Sequence, residues 1–278
     1  MKDLVVGVAS GFSWAQIEPW AVSLNRAGCS AQRVIVLDET CPNLTESTLK
    51  LTAKGFHVLN AGIPRPECRS PLDEQYRYLT AFLEHGDFDL IVLANTRDLI
   101  FQSDPITWLR EHLHPNKDVL VVTEGMKFQD QPWSLGYMLQ AFGTDAQNRT
   151  REQEIWNSGM IAGRGAALKN IFQEISCLCE SGGHPTSDQA ALNLLLSQEP
   201  WLACTQGCYP SSGFIVHLAA MASHMGLIRF MKQENMTFED GVVYINGSPV
   251  CMVHQYDRIR EWFPTIDMKY REEQHAAS

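Results

Sequence analysis

The sequence predicts an α/β fold with a mostly parallel central sheet and helices on both faces. Short apolar runs alternate with amphipathic segments throughout the first half of the chain. The runs "LVVGVAS", "RVIVLD", "LIVLAN" and "DVLVV" are nearly continuous, which marks strands buried on both sides rather than one. With 45% hydrophobic and 19% charged residues over 278 positions, the chain can bury the core such a sheet requires.

The elements follow in order. "LVVGVAS" is a strand. "EPWAVSLNRAG" reads as a helix over residues 18–28, with Pro19 in its first turn and Gly28 at its end. "RVIVLD" is a strand. "NLTESTLKLTAKG" is a helix capped by Asn43, with Glu46 three residues on and Gly55 as the stop. "FHVLN" is a strand. "SPLDEQYRYLTAFLEHG" is a helix with Ser70 as cap, Pro71 first and Gly86 after its end. "FDLIVLAN" and "DVLVVTE" are strands. In the second half "NSGMIAG" reads as a strand, "GAALKNIFQEISCLCESG" as a helix, and "TSDQAALNLLLSQ" as a helix capped by Thr186 or Ser187. After Trp201 come short strands and loops, including "VVYI" and "PVCMVHQ". No repeat, low-complexity segment or linker interrupts the pattern, so one domain over residues 1–278 is expected.

Several functions are disfavoured. A net charge of -10 argues against a nucleic-acid binder, which would carry a basic face. No window approaches the roughly 18 apolar residues of a spanning helix. The opening "MKDLVVGVASGF" lacks the long apolar core of a signal peptide, so a soluble, cytoplasmic protein is expected. On that expectation the glycosylation-type tripeptides at Asn43, Asn148, Asn235 and Asn246 are chance matches. The eight cysteines read as core or free thiols, since Cys177 and Cys179 lie two apart in a helical pattern and point apart. A dinucleotide fold needs Gly-x-Gly-x-x-Gly after its first strand, and "GVASGFSW" does not supply it. Neither a phosphate-loop motif nor a Gly-x-Ser-x-Gly turn is present.

The informative stretch is "LIVLANTRDLIFQSDP", residues 90–105. An apolar strand stops at Asn95-Thr96-Arg97-Asp98, and Leu99-Ile100-Phe101 follows. In open α/β sheets ligands gather at the carboxyl ends of strands, which is where this strand delivers Asp98. A carboxylate there can hold a divalent cation, which in turn holds diphosphate oxygens. The plainer alternative is that Asp98 pairs with Arg97 or caps the next turn.

"NTRDLIFQSDP" resembles the metal-binding region of GT-A-fold glycosyltransferases. There an Asp-x-Asp or Asp-x-x-Asp element precedes an apolar triplet and Asp-Pro. Three more segments stand in the order that family would place them. "WNSGMIAG" (Trp156 to Gly163) looks like the strand that contacts the donor sugar. "SDQAALNLLL" (Ser187 to Leu196) looks like the Asp-Gln helix start near sugar and acceptor, and "VHQYDR" (Val253 to Arg258) like the C-terminal His element. The resemblance spans roughly residues 4 to 260.

It implies a single GT-A (Rossmann-like) domain that moves a sugar from a UDP- or GDP-linked donor to an acceptor hydroxyl on a glycan, and it is closer to retaining members. It implies Mn²⁺ or Mg²⁺ on Asp98 and His254, and catalytic roles for Asp188 and Gln189. Asn95, Arg97, Asn157, Gly159 and Arg77 would contact the donor. Ala9, Ser10, Gly11 and Phe12 would meet its base, with Phe12 and Trp14 flanking it or lying in the core. The first acid of the family's pair is missing, since Asn95 or Thr96 stands there. A weaker metal site, a metal-free enzyme, a non-catalytic nucleotide-sugar-binding relative and a nucleotidyltransferase of similar fold therefore stay open. Each residue also has a plain reading: a tight strand entry for Asn157 and Gly159, a helix-dipole partner for Asp188, a buried hydrogen-bonded imidazole for His254, a solvated face for Arg77.

Overall fold

The computed structural model describes residues 2–64, 71–182, 187–218 and 224–271. Its first half is the predicted alternation: β1 (Lys2–Ala9), α1 (Trp14–Arg26), β2 (Gln32–Leu37), α2 (Leu44–Ala53), β3 (His57–Asn60), α3 (Pro71–Leu83) and β4 (Phe88–Ala94). Then come β5 (Leu99–Phe101), α4 (Pro105–His112), β6 (Val119–Lys127), α5 (Pro132–Thr150), β7 (Glu154–Arg164), α6 (Gly165–Ser181), α7 (Ser187–Leu196), α8 (Trp201–Cys204) and β8 (Thr205–Cys208). The seven-stranded sheet runs β3-β2-β1-β4-β7-β6-β8. It is parallel except at β7, which is antiparallel to both β4 and β6.

The strands alternate between two cores. Leu90, Val92 and Ala94 of β4 face one cluster with Ile17, Trp20 and Leu24 of α1 and Ile106 and Leu109 of α4. Ile91 and Leu93 face the other, with Tyr76, Leu79 and Leu83 of α3 and Leu168, Ile171 and Phe172 of α6. Both faces are covered, which is why these strands carry no polar side.

The rest of the chain is β9 (Ile215–His217), α9 (His224–Gln233), β10 (Met236–Glu239), β11 (Val242–Ile245), β12 (Ser248–Pro249), β13 (Met252–His254) and α10 (Phe263–Tyr270). β5, β13 and β9 form a separate three-stranded sheet, and β10, β11 and β12 another. The triplet Leu99-Ile100-Phe101 is therefore a strand of its own. It pairs antiparallel with β13, Leu99 opposite His254, while His254 lies opposite His217 of the parallel neighbour β9. That register brings the C-terminal His segment to Asp98.

Two expectations at helix ends need correction. α1 starts at Trp14 rather than Glu18, because Ser13 and Gln16 form a capping box. Pro19 is thus interior and cannot bond the carbonyl of Ala15; the guanidinium of Arg271 takes that carbonyl instead, at 3.0 Å. Asn43 occupies the cap position of α2 in a left-handed conformation, with no side-chain cap bond. The proposed caps Ser70 and Thr186 lie outside the described residues; Ser187 is the first residue of α7. The described cysteines are free thiols. No helix among the described residues is long and apolar enough to cross a membrane.

Candidate functional site

Three strands that run in one direction end toward the same edge, and each delivers an acid there: Asp38 after β2, Asp98 after β4, and Glu124 past the apolar half of β6. Asp38 closes the first subsite. It accepts from Thr40 N at 3.0 Å and from the hydroxyls of Ser10 and Thr40. Ser10 and Gly11 are partly or fully exposed beside it, with Gly11 at φ +71°. Ala9 is buried, and its carbonyl is occupied by Cys41 Sγ at 3.2 Å. Phe12 and Trp14 pack against the core, with Lys50 and Lys54 over the Trp14 ring at 5.4 and 5.7 Å.

The second subsite is a ring of polar contacts. Asp98 Oδ1 lies 3.3 Å from His254 Nε2, and Asn95 Nδ2 lies 3.2 Å from the same nitrogen. His254 Nδ1 meets His217 Nδ1 at 3.0 Å, and His217 Nε2 lies 3.9 Å from Glu124 Oε1. Glu124 accepts from Asn157 Nδ2 at 2.9 Å; Asn157 Oδ1 accepts from Gly159 N at 3.0 Å; and Gly159 O accepts from Asn95 N at 2.8 Å, closing the ring. Of the two candidates for the missing acid, Asn95 is the one that faces the site. Thr96 is buried, its hydroxyl bonded to Val8 O at 2.9 Å. Gly159 is required by the close approach: a Cβ there would sit 2.2 Å from Asn95 Nδ2.

The electrostatics follow from burial and neighbours. Burial alone would raise the pKa of Asp98, but the imidazole of His254 and the charge of Arg97 outweigh it and hold the carboxyl below its ordinary value. Burial raises Glu124, partly offset by hydrogen bonds from Asn157 and Gln189. Burial, then His254, pushes His217 well below an ordinary imidazole, so His217 is neutral. Two tautomer pairs satisfy the Nδ1–Nδ1 contact: His217 Nδ1–H donates to His254, whose Nε2–H then donates to Asp98 at 3.3 Å, or His254 Nδ1–H donates to His217, which leaves Nε2 of His254 as a lone pair. In the second arrangement that lone pair can accept from Asn95 or serve a cation beside the Asp98 carboxylate, but not both at once. In the first arrangement the Asp98–His254 contact is a hydrogen bond complete in itself; in the second the two atoms are adjacent acceptors open to a cation. The separation suits adjacent ligands of one ion, since bonds of ~2.1 Å at a right angle place their donor atoms ~3 Å apart. The donor set fits a divalent cation as two protein ligands; among the described residues no cluster of three His, Cys, Asp or Glu could hold one unaided.

The third subsite lies at the start of α7. Asp188, 3% exposed, accepts from Ser158 Oγ at 2.7 Å, and Gln189 Oε1 lies 3.4 Å from Ser158 N. Burial raises the pKa of Asp188 against that hydrogen bond. Ser158 O in turn accepts from Tyr76 Oη at 2.9 Å, tying α3 to β7. Asp188 and Gln189 line a cavity of about 250 Å³ that α5 covers.

The structure thus gathers Asn95, Asp98, Asn157, Gly159, Asp188, Gln189 and His254 from four distant segments. Arg97 stands at the rim, paired with Asp257 at 3.3 Å. Arg77 has a partner on its own helix: its Nε donates to buried Glu74 at 2.8 Å, and its guanidinium lies 4.7 Å from the centre of the Tyr78 ring. The sequence reading missed Asp38, Glu124, His217 and the whole of α5. "RVIVLD" and "DVLVVTE" end in an acid just as the Asp98 strand does, and "FIVH" ends in His just as "MVH" does, so the signal was present for three of them.

No family model matches the chain, and no curated protein matches it. Among solved structures, the apo structure of WbbM, a bifunctional glycosyltransferase, is similar with a TM-score of 0.58 at 12% identity. The match covers 96% of this chain and 50% of that one, so this chain spans about half of that chain's length. At that identity the likeness is one of fold, and it agrees with an α/β, GT-A-like architecture.

Proposed function

We propose that this protein is a glycosyltransferase that takes a sugar from a UDP- or GDP-linked donor and places it on an acceptor hydroxyl of a glycan. The observation that carries the reading is the closed polar ring of Asn95, His254, His217, Glu124, Asn157 and Gly159. Segments far apart in sequence meet there at the carboxyl edge of an α/β sheet, the edge where such folds bind ligands.

In this reading the base lies along Ser10 and Gly11 near Asp38. Asp98 and His254 are the residues that would hold Mn²⁺ or Mg²⁺ beside the diphosphate; imidazole favours Mn²⁺ over Mg²⁺. Such an ion would supply charge neutralisation at the leaving diphosphate. Asn157, Gly159 and Ser158 lie along the sugar. Asp188, fixed by Ser158, and Gln189 orient the sugar and stabilise charge that develops at its anomeric carbon. Most of the catalytic effect is positioning.

The neutral amide of Asn95 gives a second reading a foothold: a relative that binds nucleotide sugars without transferring them. A panel of nucleotide sugars tests both. Binding read by thermal shift, with and without Mn²⁺, should identify a donor; at 100 times its dissociation constant it adds about 2.7 kcal/mol. Release of the nucleoside diphosphate from that donor then separates an enzyme from a binder. A nucleotidyltransferase would release pyrophosphate from a nucleoside triphosphate instead.

A further inference from the structure

The cavity beside Asp188 has a wall that the donor reading does not use. α5 begins at Pro132, and its first turns are amphipathic: Leu135, Met138 and Phe142 turn inward against Ala190 and Leu194 of α7. The other face carries Trp133, Ser134 and Tyr137, all lining the cavity. Trp133 is 70% exposed, and its ring meets that of Tyr137 edge-on at 6.4 Å and 83°. Asp188, Gln189 and Gln131 line the same cavity. Among the described residues Gln131 Nε2 donates to the thioether of Met126 at 3.5 Å, a weak acceptor that a hydroxyl readily replaces.

We infer that this cavity is the acceptor subsite and that it takes a neutral pyranose ring, stacked on Trp133 with its hydroxyls on Gln131, Gln189 and Asp188. The inference rests on the transferase reading above. A pyranose has one apolar face of C–H groups and an edge of hydroxyls. An aromatic plane and planar polar side chains in one cavity match both. Charge excludes the phosphates: the lining has a carboxyl and no Lys or Arg among the described residues. Size excludes the whole donor, because about 250 Å³ is below the roughly 300–1,000 Å³ of pockets for drug-sized ligands and suits a single ring. Position separates it from the diphosphate, since Asn95, Asp98 and His254 do not line it, while Ser158 and Asp188 connect the two subsites.

The test uses the whole protein and methyl glycosides of glucose, galactose, mannose, rhamnose and N-acetylglucosamine. Saturation-transfer NMR on the wild type should give a signal from at least one glycoside, strongest on one ring face. Trp133→Ala should weaken it at least fivefold, and Trp133→Phe should retain most of it. UDP and GDP affinity by calorimetry should stay within twofold in both variants. Glycoside binding absent from the wild type, or unaffected by Trp133→Ala, overturns the inference while leaving the transferase reading intact if nucleotides bind. Loss of nucleotide-sugar affinity in Trp133→Ala also overturns it, because the cavity would then hold the donor sugar. Glycoside binding by a wild type that binds no nucleotide sugar sinks the transferase reading and the acceptor role together.

Discussion

Nδ1 of His217 lies 3.0 Å from Nδ1 of His254, and the second nitrogen of each ring faces a carboxylate, Glu124 and Asp98 respectively. The pairing is a product of sheet register, because the two residues sit opposite each other on parallel strands β9 and β13. The contact orients the His254 ring, in the way a buried hydrogen-bond partner orients a metal-binding imidazole. His217→Gln should reduce the gain in nucleotide affinity that Mn²⁺ confers by about 10-fold, with metal-free nucleotide affinity unchanged. Calorimetry with and without Mn²⁺ reads both. An unchanged metal effect would mean that His254 needs no partner.

Gly159 is the tightest point of the ring. A methyl group there must displace the Asn95 amide, 2.2 Å away, and so breaks its contact with His254. Gly159→Ala should cost about 1–3 kcal/mol of stability, the usual range for overpacking, and weaken nucleotide binding as well. Melting temperature and calorimetry on the same sample check this. Full stability with full binding would place Asn95 outside the site.

Asp188 gives a pH signature. Burial raises its pKa above the unfolded value of about 3.9, so the unfolded chain releases this proton first as pH rises. The stability it contributes is complete below about pH 4 and is lost as pH rises through the folded pKa. Asp188→Asn cannot ionise, so its melting temperature should gain on the wild type between pH 4 and pH 8. Glu124 is raised by burial in both proteins; the part of its rise that comes from the Asp188 charge is lost in the variant and adds to the difference in the same direction. The same variant should lose roughly 10²-fold in kcat, the scale of a missing electrostatic stabiliser. A variant that keeps full turnover would reduce Asp188 to a helix-start residue.

The core sheet was legible because its strands obey a local rule: apolar runs between amphipathic helices leave few alternatives. Asp98 and His254 were legible as the ends of such runs. His217 and Glu124 end equivalent runs, but their importance depends on which strands become neighbours, and only the register of β5, β13 and β9 supplies that. α5 was not legible because its apolar stripe is interrupted: Gly143 breaks the helix at φ +82°, and Trp133 and Tyr137 lie off the core face. Pro19 misled because the compensating Arg271 is 252 residues away in sequence from it.

Arg77 distinguishes a donor contact from a structural ion pair. Its Nε bonds Glu74, a fully buried carboxylate. Arg77→Met weakens the support of that charge and should cost about 1–3 kcal/mol. If the pairing is its main role, thermal stability falls while nucleotide-sugar affinity in the surviving folded protein changes less than twofold. A large loss of affinity with an unchanged melting temperature would assign Arg77 to the donor.

The most direct test of the central claim is release of nucleoside diphosphate from a panel of UDP- and GDP-sugars, measured with Mn²⁺ and after EDTA treatment for wild type and Asp98→Asn. The account predicts turnover of at least one donor by the wild type, a marked drop on metal removal, and a loss of roughly 10²-fold in Asp98→Asn. A wild type that neither binds nor turns over any member of the panel would contradict it.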